Sequence, residues 1–397
     1  MVDSSVMKSV RLILTALFLF LPVLALSEDP VGDLGQRLKA GSARLTYDAK
    51  QGYLSSLLKA LDIPVSSQTL VFSKTSLQSE GITPASPRAI YFNDDVYAAW
   101  VQGASSIEIM SVDSVRGSVF YALSQENDGR PQFEVVTGHI CSACHFSQES
   151  PKKFVPKLVL SSVIPDEKGN VEGTFPFPTT DQTPLAERWG GWYVTGTHGA
   201  QRHLGNVSLK TPMTVTGNLS RVDFSKSLNV IDLSSRFDTS RYPSAHSDIV
   251  ALMVLGHQVE VHNLFALASG MPDADPREVG ERLVQSMLFV DAAPLKEPVR
   301  GSSSFAADFS GRGQRDAQGR SLRDFDLKTR LFRYPLSYLI YSKAFDGMPE
   351  KVKTYVYGRL VDVLSGKDKS RDFAHLSAPD RAAILEILRS TKSDFPR

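Results

Sequence analysis

The chain has 397 residues, of which 42% are apolar and 22% charged. That is the composition of a globular protein, and it excludes a collagen-like repeat, a coiled coil and a disordered chain. Its 44 basic and 43 acidic residues give a formal charge of +1 with no Lys/Arg block, so nothing supports nucleic-acid binding.

Residues 1–27 place Lys8 and Arg11 before the apolar run Leu12–Leu21, followed by Pro22, Ala25 and Ser27. A basic start, a short apolar stretch and small residues predict a secretory signal peptide cut near Ser27/Glu28. The run is too short for a spanning helix, which needs about 20 apolar residues. No later stretch is expected to span a bilayer. The mature chain is then an exported, periplasmic protein.

Apolar residues at helical spacing predict helix from Asp33 to Asp62, broken by Pro64. From Ala89 to Val136 the pattern changes to short β-type runs, with turns at Asn93-Asp94-Asp95, Gly103, Arg116-Gly117 and Asn127-Asp128-Gly129.

Residues 141–145 then read Cys-Ser-Ala-Cys-His, and the chain has 2 cysteines in all. Cys-x-x-Cys-His is the attachment signature of c-type haem. Cys141 and Cys144 would bond the haem vinyl groups, and His145 would be the proximal iron ligand. A structural zinc site wants four ligands, and a redox Cys-x-x-Cys wants a thioredoxin-like βαβ setting; neither is present. One motif means one covalent haem, with iron as its metal.

Residues 151–187, rich in Pro and Gly, predict long loops. Within Arg188–Asn206, glycines flank His198, Trp189, Trp192 and Tyr193 could pack on a porphyrin, and Arg188 or Arg202 could pair with propionates. The bland alternative is a Gly/Trp-rich core turn. His198 is the first candidate for the distal ligand, ahead of His203.

Ser247–Ala268 predicts an amphipathic helix, with Asp248 in its first turn, an apolar stripe through Met253 and Gly256, and Gly270 and Pro272 as stops. His257 is the second distal candidate, weighed against a satisfied core histidine. His262 stands about 140° round the helix from it, so the two face different ways. Residues 291–325 predict a mobile loop. Leu327–Leu364 and Pro379–Thr391 predict further helices, with Tyr334, Tyr338 and Tyr341 on one face as a packed stripe in preference to a redox lane.

The fold class expected is mainly α with a β-rich segment before the haem motif, an α+β chain with its cytochrome c-type site in one large extended domain. Its regions are 1–27 signal peptide, 28–85 N-terminal helical region and 86–397 haem-binding region. The segments 88–103, 138–147, 184–206, 250–258 and 326–349 resemble a group of exported bacterial cytochrome c domain-containing proteins. The resemblance implies haem binding, electron transfer and an exported location. The leading expectation is a mono-haem cytochrome passing single electrons between periplasmic redox proteins. The alternative is a haem-dependent oxidoreductase or peroxidase-like enzyme with an open distal iron site.

Overall fold

The computed structural model describes residues 29–113, 117–136, 145, 157–173, 177–215, 217, 219–270 and 275–397. The expected signal peptide and both cysteines lie outside these residues.

The short β-type runs form the sheet that organises the molecule. Its strands are β1 (Thr69–Val71), β2 (Arg88–Phe92), β3 (Val96–Trp100), β4 (Ser106–Asp113), β5 (Gly117–Ser124), β6 (Phe133–Val135) and β9 (Trp192–Tyr193). They pair antiparallel in the order β6-β5-β4-β3-β2-β1-β9, while β7 (Ser161–Ser162) and β8 (Phe177–Pro178) pair with each other. The β2–β3 turn falls where expected, because Asn93 Oδ1 accepts from the backbone N–H of Asp95 (3.1 Å) and of Val96 (2.9 Å).

Side chains alternate across a strand, so the sheet has two faces. One carries Tyr91, Ala98, Trp100, Ile109 and Leu123 against α1 (Pro30–Lys39) and α2 (Leu54–Ala60). Asp29 caps α1 by accepting from Val31 N at 3.0 Å and also receives the Tyr121 hydroxyl, tying the helix to β5. The single helix expected over 33–62 is thus two short ones. The segment before residue 86 shares a core with the rest, since it supplies β1 as well as these helices.

The other face carries Phe92, Tyr97, Met110 and Val112 against α3 (Ile249–Gly270). Asp248 starts α3, its Oδ1 accepting from Val250 N at 2.8 Å. α3 is buried all round instead of along a stripe, because α4 (Pro276–Met287), α5 (Phe305–Gly311) and α6 (Lys343–Asp346) pack on its other sides. By length and composition its 22 residues could cross a membrane, contrary to expectation, but its most apolar window is 89% buried inside the protein. That is a core helix, each fully buried Leu or Val contributing about 1.5–3 kcal/mol. α7 (Glu350–Leu364) and α8 (Ala378–Thr391) complete this layer.

Three expectations are corrected. Of the described residues 34% are helical and 16% strand, so the protein is α+β built on a 7-stranded sheet and not mainly α. Local periodicity understated the sheet because β1 and β9 are too short to show alternation. Residues 291–325 are folded: β11 (Arg300–Gly301) pairs with β10 (Gly196–Thr197), and Phe305 and Phe309 anchor α5 in the core. Tyr338–Tyr341 is a 3-10 turn, and Tyr338 packs edge-on to Phe309 at 4.8 Å under the Arg323 guanidinium at 4.4 Å. The tyrosines are core, as preferred, though not on one α-helical face.

Candidate functional site

The predicted site residues fall into three clusters. The first surrounds His145. Lys157 N donates to His145 O at 3.0 Å, and His145 Nδ1 donates back to Lys157 O at 2.8 Å. The next residue, Leu158, is gripped by the α3 side chain Asn263, whose Oδ1 accepts from Leu158 N (2.7 Å) and whose Nδ2 donates to Leu158 O (2.9 Å). The His145 ring lies 5.1 Å from Phe120 on β5. Strand register places Phe120 in one cross-strand row with Met110 and Tyr97, beside a second row of Ile90, Ala99, Glu108 and Ala122. Arg88 and Glu108 form an ion pair on this face.

Burial chiefly, and then the Arg88 and Lys157 cations, hold the His145 pKa below the usual imidazole value; the Lys157 carbonyl and Glu108 oppose this. A carbonyl only accepts, so Nδ1 carries the proton and the neutral ring keeps its lone pair on Nε2. A metal-ligating histidine usually has this arrangement, with its second N–H given to a carbonyl. The donor set therefore fits a haem whose proximal ligand is His145.

The second cluster joins Arg188 and His257 through Asp181. Arg188 Nε donates to Thr183 O and Nη2 to Asp181 O, both at 2.7 Å. Two of its three guanidinium nitrogens tie a loop together; burial holds its pKa below the usual value, against the pull of Asp181 and Glu260. His257 Nδ1 lies 2.6 Å from Asp181 Oδ2, and Nε2 lies 2.8 Å from Ser337 Oγ. Its ring stacks on Phe289 at 4.3 Å. Both nitrogens are engaged, so His257 is the satisfied core histidine and has no nitrogen left for iron. Met253 and Arg188 line a cavity of about 290 Å³ beside this network.

The third cluster is His198 with His203. Their rings sit 4.6 Å apart, and Trp189 meets His203 edge-on at 5.7 Å. His198 Nε2 accepts from Asn229 N at 3.2 Å, while its Nδ1 and both nitrogens of His203 are buried without partners. Burial first, then the neighbouring His198, pushes the His203 pKa down to about 3. The neighbours of His198 are Asn229, Gln201, Glu297 and His203. His145 stands instead among Phe120, Lys157, Arg88 and Glu108.

The glycines here admit backbone and not a flat ring. A Cβ on Gly190 would stand 2.2 Å from Val163 O, and Gly191 has φ +82°. Trp189 itself sits at φ +65°, a strained value for a bulky residue. Trp192 donates from Nε1 to Ser161 O at 2.9 Å and lies in the core. Arg202 stacks over Phe224.

Among the described residues no three of His, Cys, Asp and Glu gather to hold a metal. Comparison with family models, with curated proteins and with solved structures finds no match.

Sequence reasoning missed Asp181, Ser337 and the Tyr97–His262 pair, whose hydroxyl and Nδ1 are 2.8 Å apart. No local signal marks them. Asp181 lies in a Thr-Asp-Gln-Thr-Pro loop, and only tertiary packing brings it to His257.

Proposed function

We propose that this chain is an exported mono-haem c-type cytochrome passing single electrons between periplasmic redox partners. The observation that carries the reading is His145 Nδ1 given to the Lys157 carbonyl, next to the Cys141/Cys144 sequence signature. The haem, when bound, supplies an iron that changes oxidation state by one electron. His145 orients Nε2 as its ligand. Lys157 fixes the tautomer, and Asn263 holds Lys157's neighbour to the core helix. Phe120 and the adjoining sheet row offer apolar contact, and the Arg88–Glu108 pair brings little net charge.

His198 is the remaining distal candidate of the two, and to serve it must exchange the Asn229 N–H for iron. That engagement, with the double engagement of His257, favours the second reading: a haem-dependent, peroxidase-like oxidoreductase whose sixth position is open.

The test is a visible spectrum of protein matured with a c-haem assembly system, recorded oxidised, reduced and under carbon monoxide. A low-spin spectrum indifferent to carbon monoxide supports electron transfer. A high-spin ferric form that binds carbon monoxide readily supports the enzyme. Protein with no covalent haem removes both readings.

A further inference from the structure

Asp181, His257 and Ser337 are linked in the order of a hydrolytic triad, acid to Nδ1 and hydroxyl to Nε2. Depth decides against that use. Ser337 and His257 are each 0% exposed, so no acyl group can reach the serine. The Asp181 side chain is 10% exposed, and it lines the 290 Å³ cavity. The relay is inverted: the acid faces the space, and the serine is its deepest support.

Asp181 is fixed at nearly every polar atom. Its N–H donates to Glu260 Oε2 (3.3 Å), and its carbonyl accepts from Arg188 Nη2 (2.7 Å) and Ala293 N (2.9 Å). Oδ2 accepts from His257. Because a carboxylate only accepts, His257 carries its proton on Nδ1, and Nε2 accepts from the Ser337 hydroxyl. Among the described residues, Oδ1 alone has no partner.

The cavity wall is also unusual. Phe289, at φ +59°, separates the cavity from His257, and Asp291 follows at φ +57°. Such values in non-glycine residues persist only where the surroundings hold them, and they cluster at ligand sites. Leu185, Leu295, Phe332 and Pro335 supply apolar lining, and Arg330, Arg371, Asp372 and His375 add polar groups to it.

The geometry points to a binding site for a small neutral molecule, one substituted ring carrying a hydroxyl that donates to Asp181 Oδ1. The volume is about twice the ~150 Å³ known to hold benzene. Neutrality follows from the charge already present, since the three arginines of the lining, Arg188, Arg330 and Arg371, match its three aspartates, Asp181, Asp291 and Asp372, and leave no call for a charged ligand. A fixed anionic acceptor between apolar walls discriminates by hydrogen-bond donation, because a ligand without a donor leaves it unpaired. The inference is independent of the haem.

The experiment is calorimetric titration of the full chain with 4-methylphenol and with toluene, which differ by the hydroxyl. We expect 4-methylphenol to bind about ten- to a hundredfold more tightly. Asp181→Asn, which turns an acceptor towards a donor, should erase the difference. Ala293→Phe, at a half-buried position on the lining, should weaken both ligands. Equal affinities in the unmodified protein, or no binding of 4-methylphenol, would overturn the proposal whatever the variants do. Retention of the preference in Asp181→Asn would overturn it as well.

Discussion

The side-chain amide of Asn263 satisfies both backbone polar groups of Leu158, at 2.7 Å and 2.9 Å. These bonds fasten the segment that orients His145 to the best-buried helix in the molecule. Asn263→Ala leaves both groups without their partner and should cost about 2 kcal/mol, read as a lower urea midpoint. In haem-loaded protein it should also broaden the ligation seen in the visible spectrum. An unchanged midpoint and spectrum would show that the clamp is dispensable.

The buried relay makes a graded prediction. Ser337→Ala removes one hydrogen bond to His257 and should cost about 1–2 kcal/mol. His257→Ala leaves the Asp181 carboxylate without its main partner and should cost about 3–5 kcal/mol. Thermal unfolding of the two variants checks the order; a reversed order would mean that Ser337, not His257, holds the acid.

Acid should unfold the protein, and the sign follows from the histidines. His203 and His262 are both pushed down to about 3 by burial, so the unfolded chain binds their protons more tightly. Their contribution is intact above the unfolded value near 6.5 and is lost as pH falls from there towards 3, at about 1.4 kcal/mol per pH unit for each. Asp95, raised to about 6 by burial and by Asp94, and Glu260, raised by burial and by Asp181, act in the opposite direction, but they are two groups against the four lowered histidines His145, His198, His203 and His262. Urea midpoints between pH 7 and 4 should therefore fall, and His203→Gln should flatten the slope. A flat profile in the parent protein would contradict the burial of these rings.

Two glycines should respond in opposite ways. Gly190→Ala drives a Cβ to 2.2 Å from the Val163 carbonyl and should cost about 3 kcal/mol. Gly256→Ala meets only Leu160 Cδ2 at an ordinary 3.5 Å, inside a helix. It should gain roughly 0.5–1 kcal/mol. Melting temperatures of the pair decide it.

The sequence carried the parts of the fold that have local signatures. Asn93-Asp94-Asp95 marked its turn, Asp248 marked the start of α3, and the runs from Arg88 to Val135 are rich in apolar β-forming residues because both sheet faces are covered, one by α1 and α2 and the other by α3. The period failed on α3 itself, since a helix covered on all sides shows no polar face. Of the candidate site, His145 was legible because its motif is contiguous. Arg188 and His257 were singled out, yet their shared partner Asp181 was not, because the contact spans 76 residues between His257 and Asp181 and has no spacing to read. His198 and the Trp-Gly-Gly-Trp turn looked like a ring-binding surface, whereas their glycines admit the Val163 backbone and the Val194 and Glu297 side chains.

The sheet order also has a kinetic consequence. Strands β2 to β6 each pair with the strand before or after them in the chain, so this meander needs only short loops to form. The pairing of Leu70 with Tyr193 instead closes a loop that contains the whole meander and the Cys141–His145 motif. Such long-range contacts come late, because chain entropy must be given up before they form. Synthesis from the amino end would thus complete the meander while β9, which closes the sheet against β1, is still unpaired.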